Sequence, residues 1–171
     1  MATQLNIPGP TVVEVRFPPS DTWVLLGRTD NDNLPSVQIQ DTHKEIKSIL
    51  SGDMPAEVIL TGTTAKISVA LVEWDLEILT NIFSRQRGTG NAGVFKDAAK
   101  VGRRLIQQGG TFELRIKSES QNMYLRFPAV YFSVDSMQDS QWGNRERVIT
   151  LQFTAIPESE LDLLYSEGYS T

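Results

Sequence analysis

Cysteine is absent from the 171 residues, which excludes a disulfide framework, a thiolate metal site and a thiol nucleophile. Histidine is nearly absent. His43 stands alone, so no metal site can be built from several imidazoles of one chain, and any serine or threonine mechanism that borrows a histidine has this one candidate. No stretch approaches the roughly 18 apolar residues of a membrane-spanning helix. The opening MATQLNIPGP lacks the basic start and apolar run of a secretion signal. The expectation is a protein made in the cytoplasm with no membrane partner. The basic stretch 85–108 has Phe95 as its one aromatic ring, which disfavours a stacking platform for single strands, and the formal net charge of −5 argues against general affinity for nucleic acid backbones.

What is present is the composition of a globular protein, 40% hydrophobic and 22% charged. The length suits a single domain over residues 1–171, with an N-terminal arm or strand over 1–20. The charge is unevenly spread. Between Arg85 and Gln108 stand Arg85, Arg87, Lys96, Lys100, Arg103 and Arg104 against Asp97 alone. After Pro157 come Glu158, Glu160, Asp162 and Glu167 with no lysine or arginine. A basic middle and an acidic tail can pair head to tail between copies. That makes the six basic residues, with Glu158, Glu160 and Asp162, candidate contacts between subunits or rings.

The hydrophobic pattern is mostly that of strands. TVVEVRF, bracketed by Pro10 and Pro18, reads as an edge strand or arm. Residues 22–27 and 35–40 flank RTDNDNL and read as a hairpin, with Asp30 and Asp32 as turn residues rather than the opening of a calcium loop. Segment 42–56 fits a helical turn or an ordered loop. Strands follow at 57–60 and 64–73, around Gly62, and Ile67, Val69 and Leu71 alternate cleanly in the second. WDLEILTNIFS, residues 74–84, changes to a helical period, with Asp75 and Glu77 in its first turn. Residues 85–110 form a long, glycine-rich basic loop unless they hold a helix of their own. Phe112, Leu114 and Ile116 alternate with charged residues in a further strand; 124–134, where Pro128 predicts an edge or a bulge, and 147–156 give two more. About eight strands and one firm helix predict a mainly β protein ending in an acidic tail, 157–171.

Motifs for chemistry are weak. Gly88-Thr-Gly90-Asn-Ala-Gly93 matches the dinucleotide-binding string, and Glu113 follows at the distance of a ribose-binding acid. However, a helix rather than a strand precedes the glycines, so no strand delivers the tight turn to a pyrophosphate. His43, between Thr42 and Lys44, reads as a solvated histidine. No catalytic, cofactor-binding or metal-binding residue is assigned, and no cofactor is expected.

At Val24-Leu-Leu-Gly27-Arg-Thr29-Asp-Asn-Asp, at Leu60-Thr-Gly62-Thr-Thr-Ala65-Lys-Ile-Ser-Val-Ala-Leu-Val-Glu73, and at the helix that follows directly, the chain resembles the tail tube (major tail) proteins of tailed bacteriophages. The resemblance implies a two-sheet β-sandwich or barrel with one flanking helix and long loops. It implies homo-hexameric rings stacked into a hollow tube in the virion tail. Such a tube houses the tape measure protein, conducts DNA without specific binding, and in a contractile tail meets a sheath. Region 85–110 is longer and more basic than the simplest tube subunit needs. Two alternatives remain open: a related ring-forming protein, such as a type VI secretion tube subunit or a tail terminator, and, from another class, a small nucleotide-binding enzyme using Gly88–Gly93.

Overall fold

The computed structural model describes residues 3–6, 9–47, 54–87, 104, 109–132, 148–157 and 164–169. Its strands are β1 (Thr3–Asn6), β2 (Thr11–Arg16), β3 (Val24–Arg28), β4 (Ser36–Lys47), β5 (Pro55–Leu71), β6 (Glu73–Trp74), β7 (Phe112–Ser118), β8 (Met123–Phe132), β9 (Ile149–Ala155) and β10 (Ser166–Tyr169), with one helix, α1 (Leu76–Arg87), among the described residues. All ten strands belong to one antiparallel sheet in the order β1-β4-β5-β9-β8-β7-β2-β3-β6, and β10 lies beside β8. The sheet is not closed; β1 and β6 are its edges. The protein is mainly β, as the alternating pattern predicts.

Alternation decides which face is buried. Val13 and Val15 of β2, Leu114 and Ile116 of β7, and Leu151, Phe153 and Ala155 of β9 all enter one hydrophobic core, together with Ile67, Val69 and Leu71 of β5. Aromatic rings link its parts edge to face, Phe112 with Phe153 at 5.8 Å between centroids and Phe132 with Phe153 at 5.9 Å. Helix α1 docks through Leu79, Ile82 and Phe83, the last against Phe132 at 4.7 Å. The helix begins two residues later than its apolar period suggests. Trp74 is held in β6 opposite Gly27, and the Asp75 carboxylate caps the helix by accepting the N–H groups of Glu77 (2.8 Å) and Ile78 (3.1 Å). Gly27 is required by this close approach, since a Cβ there would collide with the Glu73 carbonyl oxygen.

Several expectations need correction. Segments 22–27 and 35–40 do not form a hairpin: β3 pairs with β2 and β6, whereas β4 pairs with β1 and β5. The turn chemistry between them is nonetheless real. Asp30 accepts N–H bonds from Asp32 and Asn33 and one from the Asn33 side chain. The TVVEVRF segment is neither edge nor arm, because β2 lies inside the sheet between β3 and β7, and its prolines sit just beyond the strand. Residues 42–47 are strand rather than helical turn or loop, and 57–60 and 64–71 are one strand rather than two. Ladder pairing between β4 and β5 overrides the weak helical spacing of Ile46 and Ile49, and a register shift between Thr42 and His43 absorbs the Gly62 break. Pro128 marks a bulge, not an edge: β8 is interior and its register against β7 shifts between Phe112 and Leu114. Strands β1, β6 and β10 are too short to announce themselves by alternation.

Candidate subunit interface

The longest strands, β4 and β5, pair along nearly their whole length, from Ser36 opposite Ser68 to Lys47 opposite Pro55. Their outer neighbours stop early. β1 pairs with β4 only over Ser36–Ile39, and β9 reaches β5 only from Ala65 onward. Past those points the two strands continue as a two-stranded arm with no further strand beside them among the described residues. Two polar contacts brace its base: the Thr61 hydroxyl donates to the Thr42 carbonyl (2.9 Å) and the Thr63 hydroxyl to the Asp41 carboxylate (2.8 Å).

The arm exposes apolar side chains along its length: Ile46 is 39% exposed, Met54 76%, Val58 54%, Ile59 42% and Leu60 55%. Directly opposed residues of an antiparallel pair share a face, and successive residues alternate. Leu60 opposite His43 and Val58 opposite Glu45 therefore lie on one face; Ile59 opposite Lys44, and Ile46 opposite Glu57, lie on the other. Both faces carry apolar groups interleaved with charge. An isolated two-stranded ribbon in water is marginal, and a continuous apolar run is the pattern of a strand buried on both faces. Both properties make the arm a candidate contact surface. His43 is exposed on the arm, on a strand rather than in a loop.

The outer face of β2, β7 and β8 is different in kind. Glu113 lies between two arginines: Nε (2.9 Å) and Nη2 of Arg16 donate to its Oε1, while Nε (3.0 Å) and Nη2 (2.8 Å) of Arg126 donate to Oε2. Beside it Arg115 donates to Glu14 Oε2 through Nε and Nη2, each at 2.6 Å. The Trp23 ring lies under the cluster, 4.4 Å from the Arg115 guanidinium carbon and 5.3 Å from that of Arg16. In each pair two arginine N–H groups converge on one carboxylate oxygen, and these charge-assisted bonds cross-link three strands. Glu113, the acid spaced for a ribose, is engaged here instead.

Of the basic and acidic candidates only Arg85, Arg87 and Arg104 fall among the described residues. Arg85 and Arg87 fall in the last turn of α1, and Arg104 is exposed. Lys96, Lys100, Arg103, Glu158, Glu160, Asp162 and the string Gly88–Gly93 lie outside the described residues. No cluster of three or more His, Asp or Glu suited to a metal occurs among the described residues, and no described helix is long and apolar enough to cross a membrane. The arm itself was missed by sequence reasoning, although the Val58-Ile59-Leu60 run carries its signal: a continuous apolar run within a chain whose other strands mostly alternate. Compared with known proteins, the chain matches no family model and no curated protein sequence.

Proposed function

We propose that the chain is a structural subunit of a bacteriophage tail tube, assembling into hexameric rings that stack into a hollow conduit for the tape measure protein and DNA, with no catalytic role. The observation that carries this reading is the arm, a projecting ribbon apolar on both faces, which suits insertion between copies of the same chain. Patches of this kind on monomeric proteins mark interaction sites. The core adds support. One face of the sheet is buried across most of its strands, and among the described residues helix α1 adds three buried side chains to it. That one-sided burial suits a sheet that curls over its own inner face, the sandwich or barrel that the resemblance to tube subunits implies.

The test is negative-stain electron microscopy across protein concentration, paired with mass in solution, for the parent and for the double variant Val58→Lys, Ile59→Lys. The parent is expected to give six-fold rings or hollow tubes, and the variant a folded monomer with the parent's circular dichroism. A parent that stays monomeric at every concentration, or a variant that assembles like the parent, overturns the reading.

A further inference from the structure

The outer face of the sheet is divided by charge. On β4, β5 and β9 the residues of this face fall into register as Ser36–Ser68–Gln152 and Gln38–Lys66–Thr154, with Ala70 opposite Thr150, and of these Thr154 is buried. Lys66 is the one ionised group in these rows. On β2, β7 and β8 the outward positions include instead Glu14, Arg16, Glu113, Arg115 and Arg126, interlocked by the ion pairs described above, with Lys117 beside them. Both regions send their inner faces into the same core, and on the curled sheet that the tube reading supposes their outer faces look away from each other.

Resting on the tube reading above, we infer that the hydroxyl- and amide-bearing face of β4, β5 and β9 is the wall of the conduit, and that the ion-paired face of β2, β7 and β8 is turned to the outside. The physical reason lies in what a sliding polyanion requires of its wall. Clustered cations hold phosphates through counterion release, so the four cationic side chains of the β2–β7–β8 face would retard DNA in a narrow channel. Serine, threonine and glutamine keep a wall wetted while adding no net charge. Water-mediated contacts to such groups form and break at little cost. One lysine per subunit is the only point of attraction in these rows. The arm continues directly from this face, which places the contacts between copies at the rim of the same wall.

The absence of cysteine allows single thiols to be placed and probed in assembled protein. Gln38→Cys and Ser68→Cys mark the neutral face, and Lys117→Cys marks the charged face. Each variant is treated, as free subunit and as purified tubes, with a small maleimide and with a maleimide carried on a gold particle too large to enter the bore. In tubes, the cysteine at 38 or 68 is expected to react with the small reagent and to lose reaction with the bulky one, while the cysteine at 117 keeps both. Reaction of 38 and 68 with the bulky reagent in tubes places that face outside. Loss of reaction with both reagents makes it a contact between copies. Parent tubes with neither neutral-face variant able to assemble also make it a contact between copies, and each of these results overturns the inference while leaving the tube reading intact. Absence of tubes from the parent overturns the tube reading itself.

Discussion

From Ser36 to Ile39 and from Ala65 to Ser68, β4 and β5 have strands on both sides; beyond Ile39 and before Ala65 they have only each other. The root follows the rule for a half-buried strand. Ala65, Ile67, Val69 and Leu71 are fully buried, and the residues between them are polar or small. The arm abandons that rule, placing Val58, Ile59 and Leu60 in succession. In the root, the apolar groups stabilise the subunit. In the arm the same residue types leave the subunit's stability nearly untouched and represent free energy released only when another surface covers them, at about 25 cal/mol per Å² of apolar area. On the proposed reading, one strand serves folding at one end and association at the other.

The sharpest contrast comes from truncating a root-side core residue. Phe153→Ala removes a ring that touches both Phe112 and Phe132 and is expected to cost about 3–5 kcal/mol, read as a drop in the urea midpoint or outright loss of folded protein. Less severe is Glu113→Gln, which leaves Arg16 and Arg126 without their carboxylate; a loss of about 1–3 kcal/mol is expected by chemical denaturation. If this change proves neutral, the clamp across β2, β7 and β8 contributes nothing to holding them together. Asp75→Ala removes the helix cap and should lower stability by about 1 kcal/mol, seen as a modest fall in Tm.

The arm is expected to break the trend. Leu60→Thr should change monomer stability by less than about 0.5 kcal/mol and yet reduce assembly in sedimentation, because the side chain is exposed in the subunit. A large fall in Tm for this variant would mean that the arm belongs to the folding core after all. Reversing Arg103 and Arg104 to Glu should affect folding least of all. It should weaken association at low salt and have little effect at high salt, where exposed charges are screened. Identical assembly at every salt concentration would make the basic segment a solvated surface only.

Much of the fold is legible in the chain because period-2 alternation and burial are the same fact seen twice. Residues 112–117 and 149–155 show it, and their inward sets are Phe112, Leu114 and Ile116 and Leu151, Phe153 and Ala155. The start of α1 is legible less well. Trp74 has the right spacing for the helix but is taken by a two-residue strand, since backbone pairing with Gly27 leaves no trace in hydrophobic period. The arm is the instructive miss. Gly62 and the early Gly52 and Pro55 look like breakers, yet a long ladder with one register shift passes Gly62 without ending the strand.

The sequence by itself determined the class of this protein: mainly β with a single clear helix, no thiol chemistry, one histidine, and an inner face written residue by residue in the alternating strands. These are local properties, set by side-chain period and composition. Tertiary structure alone decided which strands are neighbours, that β2 and β8 are interior, that Glu113 serves two arginines, and that a continuous apolar run stands in water. Those outcomes depend on pairings between residues distant along the chain, as in the 97-residue separation of Arg16 and Glu113. No local pattern encodes such a pairing, because the free energy that selects it arises only when the distant strands meet.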